Sequence, residues 1–232
     1  PKAIASTVSP RIKDGRVVLD DISLTAEDLK KYQKIHIVAC GSAYHVGVVG
    51  KYVIEKLTRI PVEVDVASEF RYRDPIVDDK SLVIVISQSG ETADTLAALK
   101  EAKSRGARIL SIVNVVGSAI ANASDDVIYT WAGPEIAVAT TKAYSTQLSV
   151  IYLIALYMAE KLGKIDDKEY STIIEEIQKL PEKITKILEY KDDIQYFASK
   201  FFSSKSIFFI GRNLDYAVAL EGSLKLKEIS YI

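Results

Sequence analysis

The chain has 232 residues, 48% of them hydrophobic, and its 30 basic and 31 acidic residues leave a net charge of −1. That length buries one large core or two small ones. The charges are well mixed, with no Lys/Arg run or basic-aromatic stripe, so nucleic acid is not an expected partner. One cysteine, Cys40, excludes an internal disulfide and fits a reducing, cytoplasmic setting. With only two histidines beside it there is no zinc set, and no metal or other cofactor is expected. The opening Pro1-Lys2-Ala3 shows no signal peptide, and the apolar stretch 148–159 is too short, and too broken by Ser149 and Tyr152, to span a bilayer. The ending Ser230-Tyr231-Ile232 falls in mid-pattern, so both ends read as cuts in a longer protein.

Residues 1–34 are mixed and are expected to wrap the core. Thr25 with Asp28 resembles a capping box that opens a short helix ending near Tyr32. Residues 35–39 read as a strand and 42–57 as a helix. Residues 62–66 alternate as a strand with one wetter face does. The run 82–86 is continuously apolar, which predicts a central parallel strand. A helix over 91–105 has Gly106 as its expected C-cap. Strands over 109–113 and 127–130 follow, then a long helix over 138–162 that is apolar on most faces and therefore buried. Strands alternating with helices predict an α/β fold, a doubly wound parallel sheet flanked by helices.

The polar stretch 163–168 divides the chain into a first unit, 1–163, and a partial second unit, 164–232. Helices are expected over 170–180, 181–188 and 194–202. A strand over 206–210 ending in Gly211 repeats the logic of 35–41, and each is followed by a helix carrying a tyrosine, Tyr44 or Tyr216. The repeat is weak, and hints at two copies of one βα architecture.

Ser87-Gln88-Ser89-Gly90-Glu91-Thr92 joins the central strand to a helix. The free N–H groups of a helix N-terminus carry partial positive charge and attract anions. Three hydroxyls and an amide add neutral donors at the same point, without the lysine of a nucleotide-binding loop. That chemistry suits a small phosphorylated metabolite; the structural alternative is a well-capped helix start. Cys40-Gly41-Ser42-Ala43 is a second strand-to-helix turn on the same carboxyl edge, where ligands of open α/β sheets bind. Cys40 itself reads as a small buried hydrophobe. The small-residue turn 135–142 offers Thr140 and Thr141 as helix caps or as ligand contacts. Glu221, Lys225 and Glu228 share one helix face, either as a solvated ion ladder or as a carboxylate held near a lysine for proton transfer. His36 and His45 have no carboxylate or second histidine at a useful spacing, and structural roles are expected for both.

These residues converge on a family. The strings Cys40-Gly41-Ser42-Ala43-Tyr44, Ala67-Ser68-Glu69-Phe70-Arg71-Tyr72-Arg73, Ser87 to Thr95, Thr141-Lys142-Ala143-Tyr144 and Ala219 to Ile232 occur in this order. Together they resemble the isomerase half of the glutamine–fructose-6-phosphate aminotransferases (glucosamine-6-phosphate synthases), which is built of two sugar isomerase (SIS) subdomains. The resemblance covers essentially the whole chain. It implies fructose 6-phosphate as substrate, with glucosamine 6-phosphate and glucose 6-phosphate as related ligands. It also implies ammonia supplied by an N-terminal glutaminase domain of a longer parent chain, and a homodimer. The resemblance places the phosphate on Ser87, Gln88, Ser89 and Thr92, and the sugar against Ser42, Ala43, Val138 and Thr140. It makes Glu228 the proton-shuttling carboxylate, with Lys225 near the reacting carbons.

The departures are specific. The family's turn reads Cys-Gly-Thr-Ser, so Ala43 stands where a sugar-binding hydroxyl is usual. The family's ring-opening histidine and closing tail lie beyond the last residue, so this chain alone is expected to turn over little. The alternative of another class is a non-catalytic SIS module that binds or senses a phosphosugar; Glu228 and its surrounding string favour the enzyme, because a sensor needs no proton shuttle.

Overall fold

A computed structural model describes residues 1–231. The N-terminal segment forms α1 (Lys2–Val8), the two-residue strands β1 (Ile12–Lys13) and β2 (Arg16–Val17), and α2 (Ala26–Lys31). The capping box at α2 is present in both directions: Thr25 Oγ1 accepts from the Asp28 N–H, and the Asp28 carboxylate accepts from the Thr25 N–H. The segment is pinned to the core by polar contacts. Arg11 donates to the carbonyls of Thr7 and Tyr129 at 2.8 and 2.7 Å, and the Tyr170 hydroxyl accepts from the Val17 N–H at 2.8 Å.

Then strands and helices alternate: β3 (Lys34–Ala39), α3 (Ser42–Thr58), β4 (Val62–Val66), α4 (Ala67–Tyr72), β5 (Ser81–Ser87), α5 (Ala93–Ser104), β6 (Arg108–Val113), α6 (Ala119–Ala123) and β7 (Asp126–Tyr129). The five longer strands form one all-parallel sheet in the order β4-β3-β5-β6-β7, with β5 at its centre. Every residue of β5 is buried. Its alternate side chains go to opposite cores, so the continuous apolar run has a physical cause. Leu82, Ile84 and Ile86 join a core with α3 and the long helix α7 (Lys142–Lys161), whereas Val83 and Val85 join one with α4, α5 and α6. Gly47 and Gly50 let α3 lie close on β3 and α7: a Cβ at either would come within about 3 Å of Ile37.

α7 begins four residues later than its apolar pattern suggests. Neither Thr140 nor Thr141 caps it by side chain; the Glu135 carboxylate does, accepting from the N–H groups of Thr141 and Ala143 at 3.3 and 3.2 Å and from Thr140 Oγ1 at 3.1 Å. The helix expected over 91–105 likewise starts only at Ala93, because Glu91 stays in the loop and its carboxylate accepts from the Ala119 N–H at 2.8 Å.

Beyond α7 come α8 (Asp167–Gln178), α9 (Leu180–Leu188), α10 (Lys191–Phe201) and α11 (Leu214–Ser230). α8 buries Tyr170, Ile174 and Ile177 in the α7 core, whereas α9 and α10 have no buried residue. The strand expected over 206–210 is not formed. A strand needs a hydrogen-bonded neighbour, and none reaches this stretch among the described residues; Phe208 and Ile210 stand exposed.

α11 packs along α3, and the two match in detail. Each has 17 residues. Gly41 before α3 has φ 57° and ψ −133°, and Asn213 before α11 has φ 58° and ψ −126°. Each ends on a left-handed residue, Arg59 or Tyr231. Asn213, rather than Gly211, therefore corresponds to Gly41 in the repeat.

Candidate functional site

The carboxyl ends of β3 and β5, the loop before α7 and one face of α11 enclose a cavity of about 440 Å³. Ser42, Ala43, Ser87, Gln88, Ser89, Thr92, Val138, Thr140, Lys225 and Glu228 all line it. Residues far apart in the sequence meet there because parallel strands end together at one edge.

The loop after β5 packs closely on the start of α6. Gly90 has φ +68°, and a Cβ on it would lie 2.0 Å from Ser118 Oγ. Ser87 Oγ accepts from the Gly90 N–H at 3.0 Å and pairs with Thr92 Oγ1 at 3.0 Å, and Ser89 Oγ accepts from the Glu91 N–H at 3.1 Å. No side chain caps α5, although Thr92 sits at its cap position. The hydroxyls therefore organise the loop and leave the first-turn N–H groups of the 12-residue α5 without a side-chain acceptor.

On the opposite wall Lys225 Nζ hydrogen-bonds the Glu228 carboxylate and lies 3.8 Å from Glu221 Oε1. Lys225 and Glu228 keep 21% and 31% of their side-chain surface, while Glu221 is 6% exposed. The innermost carboxylate is buried, and the other two groups border the cavity, Glu228 at its exposed rim. His45, expected to lack a carboxylate partner, has one from 176 residues away: its Nδ1 is 2.7 Å from Glu221 Oε2. Sequence spacing carries no signal for such a pair. Gln147, buried on α7 and lining the cavity, was equally hidden among apolar neighbours.

Burial and the nearby Glu221 charge push the Tyr144 phenol up to about 12. For Glu135 burial acts to raise the carboxyl, but the donors from Ala143, Thr141 and Thr140 and the charge of Lys142 outweigh it and hold the group below its usual range. Cys40 borders the cavity half-buried, with Sγ 3.6 Å from Thr95 Oγ1.

One cluster has metal-ligand residue types: His36, Glu63 and Asp65 bring one ligand atom each within 4.8 Å of one another. Two cations of the protein already serve it. Lys34 bonds Glu63, and Arg73 bridges Glu63 and Asp65 at 2.7 Å to each. His36 is fully buried with its ring edge toward Phe70, and burial, helped by Lys34, lowers its proton affinity. Glu63, Asp65, Lys34 and Arg73 form an ion network at β3–β4, away from the cavity, and His36 lies beneath it with neither ring nitrogen hydrogen-bonded.

A doubly wound parallel sheet with a hydroxyl-lined loop at its carboxyl edge defines an open α/β domain with a candidate anion-binding loop. The family model for the SIS domain matches residues 28–157, and the chain belongs to that family. Over its whole length it is 63% identical to a glutamine–fructose-6-phosphate aminotransferase (isomerizing) of Caldanaerobacter subterraneus subsp. tengcongensis, and 58% identical to that of Clostridium acetobutylicum. It spans 38% of the length of each of these relatives. Its structure is similar to the C-terminal domain of glucosamine-fructose-6-phosphate aminotransferase from Francisella tularensis, with a TM-score of 0.95 and 39% identity, covering all of this chain and 66% of that one.

Proposed function

We propose that the cavity binds fructose 6-phosphate and that the chain is part of the isomerase half of a glutamine–fructose-6-phosphate aminotransferase. The observation that carries this is the convergence of an uncapped helix start, three hydroxyls and a lysine–carboxylate pair on one cavity of sugar-phosphate size. Ser87, Gln88, Ser89 and Thr92 hold the phosphate against the α5 N-terminus. Ser42, Ala43, Val138 and Thr140 border the sugar, with one hydroxyl fewer at Ala43 than the family's turn has. Glu228 takes the proton from C1 of the open-chain sugar, or of its imine with ammonia, and returns it at C2. Lys225 holds the carboxylate and stabilises negative charge developing on the substrate.

In this reading a glutaminase domain of the parent chain supplies ammonia, the parent works as a homodimer in the cytoplasm, and glucosamine 6-phosphate is the product. Residues 1–163 form the first SIS unit and 164–232 begin the second; the matched ends of α3 and α11 support that division. No helix among the described residues is long and apolar enough to cross a membrane. The lysine–carboxylate pair favours an enzyme over a phosphosugar sensor.

The test is a coupled glucose 6-phosphate assay on the full-length protein and its Glu228→Gln variant. The amide keeps shape but cannot take a proton, so isomerisation should fall by about 10²–10⁴-fold while phosphosugar binding persists. Near-normal isomerisation by the variant would remove Glu228 from the chemistry, whereas phosphosugar binding without isomerisation by the unmodified protein would return the sensor reading.

A further inference from the structure

Glu221 and Asp126 are the two buried carboxylates among the described residues. Asp126 is fully engaged, accepting from Arg108 and from Ser23, so its burial has a structural explanation. Glu221 is different. Its Oε2 meets only His45 Nδ1, at 2.7 Å, and its Oε1 is buried without a hydrogen-bond partner, 3.8 Å from the Lys225 ammonium. Lys225 thus stands between two carboxylates, the inner Glu221 and the outer Glu228. His45 lies in the first turn of α3, the helix whose start forms part of the cavity wall.

Resting on the function proposed above, we propose that His45 is a positioning residue for the Lys225–Glu228 pair: it anchors the Glu221 carboxylate, so that Lys225 stays against Glu228 at the cavity wall. The carboxylate can only accept, so Nδ1 carries the proton of this bond. The other titratable groups facing the assembly are Tyr44 on α3, whose ring lies 5.6 Å from that of His45, Tyr144 on α7, Lys225 and Glu228 on α11, and Glu135 across the cavity. Tyr144 is not a substitute anchor, because its buried hydroxyl makes no hydrogen bond. A buried carboxylate stripped of its one donor is costly and turns to the nearest cation. That cation is Lys225. Drawn inward, it leaves Glu228 without the cation that fixes its carboxylate at the cavity wall. The base would lose its position, although neither His45 nor Glu221 lines the cavity.

The experiment compares full-length protein with its His45→Phe and His45→Asn variants. Fructose 6-phosphate isomerisation is measured, with KM and a melting curve for each. His45→Phe keeps ring volume and removes the donor; His45→Asn restores an N–H close to the Nδ1 position. For His45→Phe, kcat should fall about tenfold, within the loss expected of a modest misplacement, and KM should change little. His45→Asn should recover most of the lost kcat. Full kcat in His45→Phe would reduce the pair to a clamp between α3 and α11, whatever happens to the melting temperature. If His45→Phe melts too early to assay, His45→Asn against His45→Gln decides, since Gln carries its N–H toward the Nε2 position: a higher rate for Asn supports the proposal, and equal rates overturn it. Failure of the unmodified protein to isomerise would overturn the functional reading, and this inference with it. Normal activity in the unmodified protein alongside an unaffected His45→Phe overturns this inference alone.

Discussion

Gly90, in the loop that supplies Ser87, Ser89 and Thr92 to the cavity wall, has little tolerance for substitution. A side chain there meets both a left-handed φ of +68° and Ser118 Oγ at 2.0 Å. Gly90→Ala should therefore destabilise the protein by about 1–3 kcal/mol, the usual cost of backbone strain with overpacking. It should also weaken anion binding by displacing the loop. Chemical denaturation and a phosphate titration measure the two effects separately. The hydroxyls of this loop were legible in the sequence because the motif is local: Ser87 to Thr92 are neighbours in the chain and in space. The His45–Glu221 pair was illegible for the opposite reason, since it forms only when α11 packs on α3.

Two carboxylates hold elements in place. Glu135→Ala removes the acceptor at the start of α7 and should cost about 1 kcal/mol, the usual value of an N-terminal cap. Asp126 joins the N-terminal segment to β6 and β7 through Ser23 and Arg108, at 2.7 to 3.0 Å. Burial alone would raise its carboxyl, but Arg108 and the two Ser23 donors prevail and hold it below the usual range. A depressed folded-state value means that the stabilisation is complete above the unfolded value, about 4, and is lost as pH falls through the folded one. Stability should therefore decline on acidification, and Asp126→Asn should show a shallower decline below pH 4 in thermal melts. The sheet was legible because strands buried on both faces read as apolar runs. The strand expected over 206–210 shows the limit of that signal, since an apolar run predicts burial and not the partner that supplies it. The start of α7 was misjudged because small apolar residues continue the helical pattern backward past the point where Glu135 ends it.

The molecule is unevenly consolidated. The sheet, α3, α5, α7 and α8 contribute buried side chains, whereas α9 and α10 contribute none. Phe197, Phe202, Phe208 and Ile210 are exposed along the same stretch. In the proposed reading this face belongs to a second SIS unit, which further chain in the longer relatives would cover. Segments with few buried contacts open first. Limited proteolysis of the 232-residue chain should cut first between residues 188 and 213, leaving a fragment that retains α1 to α8, as read by mass spectrometry. First cuts within the sheet would contradict this distribution of stability.

The most direct test of the cavity as a phosphosugar site is a calorimetric titration of fructose 6-phosphate into the full-length protein and into its Ser89→Ala/Thr92→Ala variant. Hydrogen bonds to a charged group contribute about 1.5–3 kcal/mol each, so loss of the two hydroxyls should weaken binding by at least tenfold, while fructose without phosphate binds both proteins equally poorly. Equal affinity of the two proteins for fructose 6-phosphate would show that the phosphate lies elsewhere and that the loop after β5 is not its cradle.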